Sequence, residues 1–129
     1  MEQYTAFTQL SLDVSQLQDQ TLREQYRDAV KPDVCIYPKR VFRNTNDIIK
    51  MDEMPLLAVE ILSPMQATYP LVSKVPLYFA LGVQSVWIVY PTPRTVTVYQ
   101  SPEHSISFSV GNIIDNTLNL TIPLSELFH

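Results

Sequence analysis

The chain has 129 residues, 46% of them hydrophobic, which is enough for one core and too little for two full domains, so a single domain over 1–129 is expected. A formal net charge of −4 gives no long-range attraction for a phosphate backbone, so contact with nucleic acid needs a local basic patch. The only cysteine, Cys35, excludes an intramolecular disulfide and a cysteine-rich zinc site.

In chain order, Phe7 to Val14 alternates apolar and polar residues, the pattern of a strand with one wet face. Residues 15 to 31 are polar, with only Leu17, Leu22, Tyr26, Ala29 and Val30 as apolar positions, and predict a loop or a short surface helix ending at Pro32. Asp33-Val34-Cys35-Ile36-Tyr37, closed by Pro38, is a short β-prone run. Residues 38 to 55 predict an exposed connection, and Lys39, Arg40 and Arg43 make it the best basic patch of the chain.

Leu56 to Leu62 is an apolar run broken by Glu60 and closed by Ser63-Pro64, and predicts a central strand buried on both faces. From Leu71 to Leu81 the apolar residues recur at helical spacing before Gly82, with the start placed near Ser73 because Pro70 and Pro76 are tolerated only before a helix or in its first turn. Ser85–Tyr90 and Thr95–Tyr99, separated by Pro91-Thr92-Pro93, predict a hairpin. Short strands are expected over Ser105–Val110 and Thr117–Leu120, with a terminal helical turn from Pro123 to Phe128. The elements add up to an α/β or α+β domain, a mixed sheet crossed by a helix.

Charge is unevenly spread: 16 of the 22 charged residues precede Glu60. A second half so poor in charge must hide its surface in a core or against another subunit, and a homodimer around the hairpin that carries Trp87 is expected. Neither a basic leader followed by an apolar stretch nor a run of about eighteen apolar residues is present, so a cytoplasmic chain without membrane contact is expected.

Chemistry needs polar groups where packing prefers apolar ones. Glu60 interrupts the most hydrophobic strand, and burying a lone carboxylate costs several kcal/mol, so something must compensate it. Asp33 opens the preceding strand, and pairing of the two strands brings the carboxylates close. A shared proton or a divalent cation relieves such a pair. Two plainer readings stand beside this: Asp33 as a cap beside Pro32, and Glu60 in a structural ion pair with Lys74. His104 and His129 are too few for a histidine metal site, and two glycines cannot build a phosphate-cradling loop.

The segments Lys31-Pro32-Asp33-Val34-Cys35-Ile36-Tyr37-Pro38 and Pro55-Leu56-Leu57-Ala58-Val59-Glu60-Ile61-Leu62-Ser63-Pro64, then Lys74 with Tyr78, then Gly82 to Val89, together resemble the Uma family of restriction endonuclease-like proteins within the PD-(D/E)XK nuclease superfamily. The resemblance is strongest from about Lys31 to Tyr99. It implies a restriction-endonuclease-like mixed sheet, Asp33 and Glu60 as ligands of Mg²⁺ or Mn²⁺ with the backbone carbonyl of Ile61 as a further ligand, and DNA as substrate. The superfamily lysine two residues after the acid is replaced here by Leu62, which passes the role to Lys74. Acids that the family carries near 70 or 73 are Pro70 and Ser73 in this chain, and Gln9 stands where a further acid is sought in the first strand. The expected activity is metal-dependent hydrolysis of DNA phosphodiesters. The alternatives are a catalytically degraded member acting as a homodimeric binding or assembly module, and a nucleic-acid binder resting on Lys39, Arg40 and Arg43.

Overall fold

In the computed structural model, which describes residues 4–15, 17, 19–26, 29–38, 53–63 and 68–128, the expected first strand is split. β1 runs over Tyr4–Thr8 and β2 over Leu12–Asp13. The break falls at Gln9, whose φ of 55° lies outside extended geometry. Residues 15 to 31 contain α1 (Gln20–Tyr26), as one of the two readings had it, and also β3 (Ala29–Val30), which none had. β3 pairs antiparallel with β2 through Leu12 and Val30, a two-residue ladder too short to show a period.

β4 (Val34–Pro38) and β5 (Leu57–Ile61) fall where the apolar runs place them. Of the connection between them, residues 39–52 lie outside the described residues, and with them Lys39, Arg40 and Arg43.

The single expected helix is two. α2 spans Thr68–Val72 and α3 spans Val75–Leu81, with Lys74 as the N-cap of α3 rather than a residue of its first turn. Pro76, with no N–H to donate and a ring that clashes with the preceding turn, forces the restart. Gly82 ends α3 at φ 105°, its N–H bonded back to Phe79 and Tyr78 carbonyls.

β6 (Ser85–Tyr90) and β7 (Thr95–Ser101) form the expected hairpin. β8 (His104–Phe108) follows, then β9 (Asn112–Asp115), β10 (Leu120–Pro123) and α4 (Leu124–Leu127). The strand expected over 117–120 is mostly the turn between β9 and β10, where Asn119 has φ 55°.

Six strands make one sheet in the order β1-β4-β5-β6-β7-β8. Only β5 and β6 run parallel, and the crossover that this requires is the α2–α3 segment. Strand alternation divides the apolar residues between two faces. Cys35, Tyr37, Ala58, Val86 and Ile88 face α3 through Leu77, Tyr78 and Leu81. Ile36, Leu57, Val59, Trp87 and Val98 face Ile113 of β9 and Leu124 of α4. The result is the mixed α+β architecture that the sequence predicts, with few helices.

Candidate active site

Glu60 shares the parity of Ala58, so its side chain enters the helix-covered face and is 3% exposed. β4 and β5 pair antiparallel with Val34 opposite Val59 and Cys35 opposite Ala58. One step past Val34 the same register sets Asp33 against Glu60, and directly opposed residues of an antiparallel pair project to one face.

Asp33, half-buried, is fixed at both oxygens. Its Oδ2 accepts the backbone N–H of Ile61 at 2.7 Å, and its Oδ1 accepts from the Gln9 side-chain amide at 3.1 Å. The capping role therefore exists, but it closes the end of β5 instead of a turn beside Pro32. Gln9, the position singled out for a missing acid, supplies a donor to Asp33 in place of a charge.

Glu60 is held from the helix side. Its Oε1 accepts the Tyr78 hydroxyl at 2.5 Å, and its Oε2 lies 3.7 Å from Lys74 Nζ. Lys74 and Tyr78 are four residues apart at the start of α3, one turn on one helix face, which is why both reach the same carboxylate. The Glu60–Lys74 ion pair expected as a plain reading is present, next to Asp33 rather than instead of it.

Burial pushes the Glu60 carboxyl above its ordinary range; the Tyr78 hydrogen bond and the Lys74 ammonium pull it back, and the Asp33 charge pushes it up again. A carboxyl raised in the fold holds its proton more tightly than in the unfolded chain. Its stabilising contribution is therefore full below the ordinary value and lost as pH rises through the raised one. Glu60→Gln removes that loss. In EDTA, thermal unfolding of the two proteins at stepped pH is expected to show the variant gaining on wild type as pH climbs from 4 to 8; a gap that is flat or narrows contradicts the raised carboxyl.

The set of oxygens suits a hard cation. The Asp33 carboxylate is near enough for its charge to act on Glu60, and a strand residue points its N–H and C=O to the same edge, so the Ile61 carbonyl shares the side on which Asp33 takes its N–H. Ile61 and Ser63 are exposed, which leaves this end of β5 open to solvent. Among the described residues no group of three or more His, Cys, Asp or Glu side chains forms a metal cluster. A groove of about 550 Å³ lies elsewhere, on the opposite sheet face, lined by Val34, Val59, Ile61 and Trp87 among others.

Two polar groups have no role assigned from the sequence. Tyr78 is an apolar helix position there and stands beside Lys74 in the family pattern, but no task is given to its hydroxyl. Asp115 is fully buried on the far face, where it accepts from Ser85 Oγ at 3.1 Å, Trp87 Nε1 at 2.8 Å and the Leu118 N–H at 3.1 Å. The signal was the alternation of Asn112-Ile113-Ile114-Asp115, which turns Asp115 inward with Ile113. Cys35, also fully buried, has its thiol pushed up by burial to about 12. Among the described residues no helix is long and apolar enough to cross a membrane.

A family model described as "Uma2: Putative restriction endonuclease" matches residues 3–125. No curated protein matches the chain. Among solved structures, a protein of Anabaena variabilis ATCC 29413 described as "a putative nuclease belonging to DUF820" is similar with a TM-score of 0.71 and 21% identity, over 98% of this chain and 69% of that one. A likeness at that identity carries the fold, and the sheet crossed by helices is shared. With 123 of its 129 residues inside the family model, the chain belongs to the Uma2 family of restriction endonuclease-like proteins.

Proposed function

We propose that the chain is a metal-dependent DNA endonuclease in which Asp33, Glu60 and the Ile61 carbonyl hold Mg²⁺ or Mn²⁺ and Lys74 stabilises the transition state. The observation that supports it is the meeting, at one open strand end, of two carboxylates from paired strands with an ammonium 3.7 Å from the buried one. When bound, a divalent cation in such a site polarises the scissile phosphate and makes its water a stronger nucleophile.

The chain's own groups do the rest. The Ile61 N–H and the Gln9 amide hold the Asp33 carboxylate in one orientation, and Tyr78 does the same for Glu60 through Oε1. Lys74, a quarter exposed, sits between the buried acid and solvent, where its charge can meet an incoming phosphate. Exclusion of water around Glu60 strengthens each of these interactions relative to bulk solvent.

A second reading has a specific observation in its favour. With two acids among the described residues, and an amide at Gln9, the site has less ligand charge than a tight cation site uses. A member that keeps the fold without turnover would act as a binding or assembly module. Incubation of supercoiled plasmid with the purified chain separates the two readings: nicking with Mn²⁺, abolished by EDTA, is expected of the nuclease. Calorimetry with Mn²⁺ completes the test. Heat without nicking favours the second reading, and the absence of heat at millimolar metal rules out the first.

A further inference from the structure

The six-stranded sheet ends at β8, and no other described segment pairs with that strand's outer edge. An open edge is a row of unpaired N–H and C=O groups, and proteins that stay monomeric blunt it with charge, proline, bulges or covering elements. β8 has none of these along its length. Its residues are His104-Ser105-Ile106-Ser107-Phe108, and from Glu103 to Asp115 no Asp, Glu, Lys or Arg intervenes. The one irregularity in the β7–β8 ladder falls between Tyr99 and Ser101, at the hairpin end, so Ser105 to Phe108 pair regularly with β7.

The same edge carries exposed apolar surface. Ile106, opposite Val98, projects to the face that β9, β10 and α4 cover over Val98 itself, yet Ile106 is 53% exposed and Val110 is 84% exposed. The cover stops one strand short. Trp87, around which the charge-poor half was expected to dimerise, is buried inside the sheet and offers no surface, which moves the available contact outward to β8.

We propose that β8 pairs antiparallel with β8 of a second copy, joining two sheets into one of twelve strands. The strand suits itself. With a two-fold axis at Ile106, Ser105 meets Ser107, Ile106 meets its own copy on one face, and His104 meets Phe108, so no like-signed carboxylates or ammonium groups oppose one another. Both copies of Ile106 leave water in the same step. Pairing with the other sheet edge, β1, would instead be head-to-tail and would build a ring or a filament rather than a two-fold dimer. This proposal is independent of the nuclease reading and survives its failure.

Sedimentation velocity of the full chain, over roughly 1 to 300 µM to bracket a small interface, is expected to show a monomer–dimer equilibrium. Ile106→Lys puts two ammonium groups at the axis and is expected to weaken dimerisation at least tenfold. Ile114→Lys, at an exposed apolar residue away from the edge, is expected to leave it unchanged. A short bis-maleimide is expected to link Ile106→Cys into a covalent dimer, a readout that stands even if the lysine variant does not fold. A monomer at every concentration, a dimer indifferent to Ile106→Lys, a series of ever larger species, or an Ile106→Cys protein that does not cross-link would each overturn the proposal.

Discussion

Glu60→Ala is expected to reduce Mn²⁺-supported plasmid nicking by roughly 10³-fold or more, the scale on which removal of one member of a cooperating constellation acts. The reason lies in what Glu60 organises. It is the carboxylate against which Asp33 is registered, the acceptor of Tyr78 at 2.5 Å and the partner of Lys74 at 3.7 Å, so under the proposed mechanism its loss would remove a metal ligand and release the lysine together. The fold is expected to persist. The truncation removes one acceptor of the Tyr78 hydroxyl, a cost of at most about 1–3 kcal/mol, but it also removes a carboxylate whose burial is unfavourable. Near-ultraviolet circular dichroism from Trp87 checks that the sheet is intact. Lys74→Met is expected to lose less, about 10²- to 10³-fold, because under the proposed mechanism it would remove charge stabilisation and leave the two carboxylates in place. Nicking that proceeds equally in wild type and Glu60→Ala would assign the activity to another site or to a contaminant.

Asp115→Ala is expected to be strongly destabilising, at about 3 kcal/mol or more. Three donors converge on that carboxylate, from Ser85, Trp87 and Leu118. Ser85 is fully buried and Trp87 is 3% exposed, so neither can turn to water when the acceptor is removed. Each buried donor left unsatisfied costs about 1–3 kcal/mol. On the usual conversion for a small domain, the unfolding midpoint falls by roughly 10 °C or more. Asp115→Asn, which retains one acceptor oxygen but presents an amide N–H₂ to a cluster of donors, is expected to fall between the two. Urea unfolding followed by Trp87 emission measures both variants, and a change within about 0.5 kcal/mol, the level of an ordinary surface substitution, would mean that Asp115 does not organise this face. Below its midpoint the Asp115→Ala protein is expected to retain whatever metal response the wild type has, because the acid pair lies on the opposite side of the sheet.

The elements with long, uninterrupted patterns were legible from the residues alone. The apolar run around Glu60 became β5 at the centre of the sheet, and the Pro91-Thr92-Pro93 break became the turn between β6 and β7. Where two patterns competed, the residues misled. Gln9 sits inside a clean alternation and still leaves the extended region, because its backbone and side chain both turn to Asp33, a partner 24 positions away that no local window contains. Pro70 and Pro76 were recognised as limits on one helix, whereas the chain accommodates them by making two, with Pro70 inside α2. For the candidate site, the juxtaposition of Asp33 and Glu60 followed from strand order and register, both of which the sequence implies. The Tyr78 hydroxyl was hidden by its ring: a tyrosine at an apolar helical position satisfies the packing pattern whether or not its oxygen has a task. Asp115 was hidden by brevity, since a four-residue strand shows only two inward positions.

The depth of Cys35 has a practical consequence. A thiol with no solvent exposure and an ionisation near 12 supplies almost no thiolate at neutral pH, so alkylating reagents and mild oxidants have nothing to attack there. The molecule thus arrives as a blank background for labelling: any cysteine placed on its surface becomes the single point at which a dye, a spin probe or a tether will attach.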